Sequence, residues 1–200
     1  CGTTTCIVGI DGVDGSGKSY LARELTASLR SDRPTFSVSI DGYHCDRDMR
    51  YKRGRSSAAG FYKDSYDYGA FQRHVIQPLR NAESPSFLPE YFDLHANARA
   101  TCTPVYVPLS SIVIVDGIFL QRKELDECFD MVIFVKAGFD ITLSRMLVRD
   151  TETTDDDQET IAMFNTRYRP GQEMYLRECT PESCASVVFD NDDLDSPVLH

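Results

Sequence analysis

Eight consecutive residues, Gly12-Val13-Asp14-Gly15-Ser16-Gly17-Lys18-Ser19, have the types and spacing of a phosphate cradle. The glycines let the backbone turn so that successive N–H groups face inward, and the positive end of a following helix adds to the pull on an anion. An apolar run, Cys6 to Ile10, precedes the loop and a helix-like stretch, Tyr20 to Leu29, follows it. Gly12, Asp14, Gly15, Ser16, Gly17, Lys18, Ser19 and Tyr20 are therefore expected to line the phosphates of ATP. Lys18 would reach the β- and γ-phosphates and Ser19 would coordinate magnesium.

Transfer of a phosphoryl group needs more than a cradle. Carboxylates must hold the metal's water shell, and one group must accept the proton of the attacking hydroxyl. Two acids close apolar runs and precede glycine: Asp41 in Ser39-Ile40-Asp41-Gly42, and Asp116 in Val113-Ile114-Val115-Asp116-Gly117. Ligands of open parallel sheets bind at the carboxyl ends of strands. Asp41 is read as the base and Asp116 as a metal-shell or substrate-hydroxyl residue, the alternative being that either caps the segment after it. Asp11 also ends a run, but it abuts the loop and is read as structural. Arg145 and Arg149 stand four apart on one helix face, where two guanidiniums would stabilise charge on the transferring group. Basic residues near a helix end also suit its dipole. Arg167 and Arg169 are weaker candidates for the same pocket.

These groups need a frame. Runs at 6–11, 111–116 and 131–136, with weaker ones at 36–41 and 186–190, predict parallel strands buried on both faces. Helices are expected at 18–30, 68–80, 121–128, 139–150 and 157–178, the last broken or kinked at Pro170-Gly171. The acidic stretch Thr151 to Glu159 reads as a solvated connection. Between the second strand and Pro108 lies an irregular insertion with Arg47, Arg50, Lys52, Arg53 and Arg55, then Tyr62, Tyr66 and Tyr68, then Tyr91, Phe92 and Asp93. It reads as an acceptor-binding lobe or, alternatively, as a solvated basic loop with core aromatics.

Composition narrows the partners. Two hundred residues suit one domain. With 21 basic against 31 acidic residues and a net charge of −10, the surface is ill suited to a phosphate backbone, so nucleic acid is set aside. No apolar run approaches the ~20 residues of a membrane span. The N-terminus has neither an initiator Met nor a secretory pattern, which leaves open that the chain is cut from a longer one. Seven cysteines without a C-x-x-C pair suggest reduced thiols in a cytoplasmic protein rather than a disulfide framework or zinc site.

The ordered set of motifs resembles the uridine kinase-like family of P-loop kinases, which includes phosphoribulokinase-type and nicotinamide-riboside kinase-type enzymes. The likeness spans the loop at 12–19, Asp41 with Gly42-Tyr43-His44, Asp64-Ser65-Tyr66-Asp67-Tyr68, Tyr91-Phe92-Asp93-Leu94, Val115-Asp116-Gly117-Ile118-Phe119-Leu120 and Arg145/Arg149/Asp150. It closes with Arg167-Tyr168-Arg169-Pro170-Gly171 and Val187-Val188-Phe189-Asp190-Asn191. The resemblance implies an α/β three-layer sandwich of P-loop NTPase type: a five-stranded parallel sheet between helices, an acceptor lobe near 43–107 and a mobile lid near 145–170. It implies magnesium- and ATP-dependent phosphorylation of a sugar or nucleoside hydroxyl, with Asp41, Tyr43, His44, Asp67, Asp93, Asn97 and Arg167 toward the acceptor. Members that act on uridine carry Tyr-Asp-Phe-x-x-His-x-Arg; here Phe92 stands for the Tyr and Asn97 for the His, and Asp116 replaces the usual Glu. The acceptor is thus a nucleoside, another sugar or a sugar phosphate. A guanine switch would carry Asn-Lys-x-Asp, which is absent, and intact Lys18, Ser19 and Asp41 speak against a degenerate kinase kept as a binding module. A homo-oligomer is left open.

Overall fold

The expected apolar runs pair side by side. The computed structural model describes residues 5–80, 83–150 and 157–200, with all their side chains except those of 149, 150 and 157. Strands β1 (Cys6–Gly12), β2 (Thr35–Ser39), β3 (Ile112–Gly117), β4 (Met131–Lys136), β5 (Val187–Asp190) and β6 (Val198–Leu199) form one sheet in the order β6-β5-β4-β1-β3-β2. All neighbours are parallel except β5 and β6. The sheet therefore has six strands where five were expected. The sixth is a two-residue antiparallel edge, too short to show as a periodic pattern.

Alternation along the strands builds the two faces. Ile7, Val113 and Val115 join a large core with Tyr43, Phe61, Phe71, Phe119 and Tyr175, while Ile10, Ile114 and Val135 pack under Ala22, Leu21 and Leu25 of helix α1 (Lys18–Leu29). Asp116 shares the parity of Ile114 and so faces α1; Asp11 shares that of Ile7 and faces the opposite layer. Strand parity alone thus separates the two acids.

Helix α2 (Phe139–Asp150) follows β4 as expected. The helix expected over 157–178 runs from Asp157 to Cys179 and does not break at Pro170. A π-helical turn, Phe164–Tyr168, leads into helix α3 (Arg169–Cys179). That wider turn spares Pro170 the bond its missing N–H cannot make. Gly171 then lets α3 cross close to helix Ala58–Asp64, since a Cβ there would lie 2.8 Å from Phe61 and 2.9 Å from the Ala58 carbonyl. The helix expected at 121–128 is only a 3₁₀ turn, Lys123–Leu125. Its flanks are engaged elsewhere: the Gln121 N–H and side chain bond Tyr175 and Asp11, and Glu127 adopts a positive φ. The segment 68–80 is helical throughout, with a π turn at Gln72–Ile76. The insertion holds short helices Arg47–Tyr51 and Ala58–Asp64 and two antiparallel pairs of two-residue strands, the hairpin Phe92–Asp93 with Ala98–Arg99 lying in sequence between the paired Ser86–Phe87 and Val105–Tyr106. Among the described residues no helix is long and apolar enough to cross a membrane. Cys6, Cys45, Cys102, Cys128, Cys179 and Cys184 are free thiols, of which only Cys128 is buried.

Candidate active site

The loop between β1 and α1 folds as its glycines demand. Gly12, Gly15 and Gly17 have φ of 153°, 74° and 100°. At Gly17 a Cβ would also sit 2.6 Å from Asn191 Nδ2, so both backbone and space select glycine there. Helix α1 starts with no side-chain cap and no acid in its first turn, leaving its leading N–H groups for a ligand. Partners distant in sequence hold the loop from outside. Gln172 Oε1 accepts from the Asp14 N–H at 2.6 Å, and Asn191 Nδ2 donates to the Ser16 carbonyl at 2.7 Å. Lys18 Nζ donates to the Val13 carbonyl at 2.7 Å, folded back over the loop.

Beside the loop, Ser19 Oγ donates to Asp116 Oδ2 at 2.7 Å. Asp116 is placed by the register of β3, where it stands opposite both Ile10 and Ser39. Burial pushes its carboxyl above the usual range; the Ser19 hydroxyl pulls the other way, the nearby Asp41 charge adds to the rise and Lys18 offsets it. A hydroxyl paired with one carboxylate is an oxygen donor set of the kind a magnesium ion accepts alongside phosphate and water. Among the described residues no group of three or more His, Cys, Asp or Glu makes a self-sufficient metal cage.

Strand β2 ends at Ser39, short of the expected 41, and Asp41 lies in the 3₁₀ turn Ile40–Tyr43. Ser39 Oγ caps that turn by accepting from the Asp41 N–H at 3.3 Å. The turn sits directly over Gly117, where a Cβ would overlap Ile40, and this close approach brings Asp41 to the Asp116 end of the cleft. Asp41 itself is exposed. Tyr66 Oη donates to its Oδ1 at 2.8 Å, and His44 Nδ1 lies 2.7 Å from its carbonyl oxygen, which assigns the proton to Nδ1.

Burial lowers the ionisation of His44, with the Asp41 contacts opposing and Arg50 reinforcing the fall. The folded state thus prefers the neutral ring. The stabilising contribution is full above the ordinary value of 6.5 and is lost as pH falls through the lower folded value. Thermal melting from pH 7.5 to 4.5 should fall more steeply for the parent chain than for His44→Gln; parallel curves would remove His44 from the acid response.

Arg145 Nη2 donates to the carbonyls of Asn191 and Asp192 at 2.8 and 3.1 Å, while its Nη1 is buried without a partner among the described residues. A buried guanidinium nitrogen with no acceptor is what an anion would satisfy. The residue lines the same cleft of about 360 Å³ as Lys18, Ser19, Asp41 and Asp116. The backbone of Arg149 lies in α2, and its side chain falls outside the described residues.

The residues expected around the acceptor divide. His44 stays beside Asp41. Tyr43 is fully buried, stacked on Tyr91 with its hydroxyl on the Leu88 carbonyl, and belongs to the core rather than the cleft. Asp67 caps the helix beginning at Tyr68 by accepting from the Ala70 N–H. Asp93 accepts from the N–H groups of His95 and Ala96 in its hairpin. Asn97, at φ 51°, accepts from the Arg47 N–H at 2.8 Å. Arg167 is buried against Tyr51 and Phe61 and donates to the carbonyls of Arg55 and Ser57. These four hold the lobe's backbone together in the structure. Among the basic insertion residues, Lys52 and Arg53 share Asp64 as an ion-pair partner at 2.9 and 2.7 Å.

A mostly parallel sheet, a glycine loop leading into an uncapped helix and a strand carboxylate bonded to the loop serine define a P-loop nucleoside-triphosphate-binding fold. Comparison with known proteins agrees. The model of the Phosphoribulokinase / Uridine kinase family matches residues 7–191. The chain is 29% identical over 168 residues to uridine kinase from Proteus mirabilis, covering 82% of this chain and 78% of the relative. It is 24% identical to uridine kinase from Deinococcus deserti, covering 96% and 91%. Its fold is similar to that of a possible uridine kinase from Bacillus stearothermophilus, with TM-score 0.72, 24% identity and coverage of 95% and 91%. The phosphoribulokinase from Rhodobacter spheroides is more distant, with TM-score 0.63, 14% identity and coverage of 94% and 71%. The chain belongs to the phosphoribulokinase/uridine kinase family and is an ATP-dependent small-molecule kinase.

Proposed function

We propose that the chain transfers the terminal phosphoryl group of ATP to a hydroxyl of a nucleoside-type acceptor, with Asp41 as the base. The acceptor oxygen forms a bond to the γ-phosphorus as its proton passes to Asp41 Oδ2, and the bond from that phosphorus to the bridging oxygen breaks, releasing ADP. The observation that carries this reading is the position of Asp41, whose Oδ2 has no partner among the described residues, in the cleft that Lys18, Ser19 and Arg145 also line. The loop amides, Lys18 and Arg145 would hold and neutralise the phosphates, while Ser19 and Asp116 would hold a magnesium ion, which when bound would supply further charge neutralisation on the triphosphate. An adjoining cavity of about 420 Å³, lined by Tyr20, Leu21, Phe189, Leu194 and Pro197 among others, has the apolar walls a purine base would use. Residues 43–107 act as the acceptor lobe and 145–170 as the lid of one catalytic domain.

The nucleoside assignment leans on relatives named uridine kinase. Asn97 favours a second reading, a sugar or sugar-phosphate acceptor, because its carbonyl oxygen is engaged by the Arg47 backbone instead of facing a base. ADP release with magnesium and ATP over a panel of nucleosides, sugars and sugar phosphates tests both. One acceptor class should stimulate turnover at least tenfold, and Lys18→Ala should abolish it. No acceptor-dependent turnover across the panel would overturn the kinase reading.

A further inference from the structure

Asp41 is held on three sides. Its N–H donates to Ser39 Oγ, its carbonyl accepts from His44, and its Oδ1 accepts from Tyr66 Oη, so that among the described residues only Oδ2 has no partner. Tyr66 is itself locked. The chain around it is zipped to the segment carrying His44 by the Cys45 N–H on the Ser65 carbonyl (2.8 Å) and the Asp67 N–H on the Tyr43 carbonyl (2.9 Å). Its ring lies 4.5 Å from the His44 ring and 6.1 Å from that of Tyr68.

From this geometry we infer that Tyr66 is the positioning residue of the phosphoryl-transfer base: it occupies Oδ1 of Asp41 and thereby presents Oδ2 alone to the acceptor hydroxyl. The inference rests on Asp41 being the base. A carboxylate at the end of an exposed turn would otherwise rotate about its terminal torsion and lose orientation. Tyr66 is 6% exposed, and burial, reinforced by the Asp41 charge, holds its phenol well above the ordinary range. It therefore stays a hydrogen-bond donor at neutral pH. It is not a proton carrier.

Tyr66→Phe removes one hydroxyl and keeps both ring contacts. The freed carboxylate oxygen is within reach of water, so the fold tolerates the change. Steady-state kinetics and melting of Tyr66→Phe, Asp41→Asn and the double variant test the inference. Tyr66→Phe should lower kcat about tenfold, the loss of one hydrogen bond to a charged group. Both KM values should stay within about twofold and the melting temperature within about 3 °C. On the Asp41→Asn background the second change should cost nothing more, because a residue acting through Asp41 has nothing left to position. Wild-type kcat in Tyr66→Phe, or a tenfold loss that multiplies onto Asp41→Asn, overturns the role of Tyr66 and leaves the base intact. Wild-type kcat in Asp41→Asn overturns both.

Discussion

Replacing Asp41 with Asn should lower kcat by about a thousandfold, the middle of the range for loss of a general base. The expectation is specific because the substitution disturbs so little else. Asn keeps an oxygen for the Tyr66 hydroxyl and leaves the backbone bonds to Ser39 and His44 untouched. Only Oδ2, without a partner among the described residues, becomes a non-basic NH₂. The residue is exposed, so melting should stay within about 2 °C. Loss of a negative charge from the triphosphate end of the cleft should leave the KM for ATP equal or lower. Rates measured across a magnesium titration separate two roles. A deficit that persists at saturating magnesium marks a proton acceptor; recovery at high magnesium would make Asp41 a metal-shell residue and remove it as the base.

The conformation of the glycine loop was readable because it is local. Gly12, Gly15, Gly17, Lys18 and Ser19 work at fixed spacing on one turn, and an apolar run before and a helix after are visible in any window. Asp116 was readable for a related reason: a carboxylate closing a Val/Ile run must lie at a strand end. Asp41 was assigned to a strand and lies in the turn beyond it, yet its neighbourhood is as expected, since one turn of chain does not move it from the sheet's edge. The supports of the site were not readable. Gln172 reaches Asp14 across 158 residues and Asn191 reaches Ser16 across 175, and no periodicity encodes such pairings. Tyr66 was one aromatic among several in the insertion. The insertion outside the helical stretch 68–80 was opaque for another reason: its helices and strands there run from two to seven residues, shorter than the windows in which period 2 and period 3.6 separate. There the structure gives Tyr43 a place in the core and Asp67 and Asp93 places in turns, roles that no spacing in the sequence marks. Arg167 carried a phosphate-binding look and clamps two carbonyls. Gly171 signalled a break and instead permits a close helix crossing.

Asp11→Ala should destabilise the fold strongly, by about 3–5 kcal/mol, the combined cost of leaving several buried donors without their acceptor. The carboxylate is fully buried and accepts from four donors: the Gly12 and Leu120 N–H groups, Gln121 Nε2 and Tyr175 Oη. Burial pushes its carboxyl up, and the four donors oppose that rise. Alanine leaves all four facing an empty space they cannot hydrate. In a domain of this size the loss corresponds to a fall of roughly 10 °C in melting temperature. Asp11→Asn should cost about half as much, because its carbonyl still serves the backbone donors and Tyr175 can turn to accept from the new amide. The ordering of the two variants distinguishes an acceptor network from simple packing, for which alanine and asparagine would not differ in this direction. The same change should also slow the chemistry of the surviving folded fraction. Tyr175 and Gln172 fasten α3 to the end of β1 and to the loop at Asp14, and loss of the first leaves the second alone to hold the glycine loop against α3. Chemical denaturation of the parent and both variants, with kcat measured well below their melting temperatures, decides the case; equal stability of all three would show that Asp11 is not the bolt between sheet and helix.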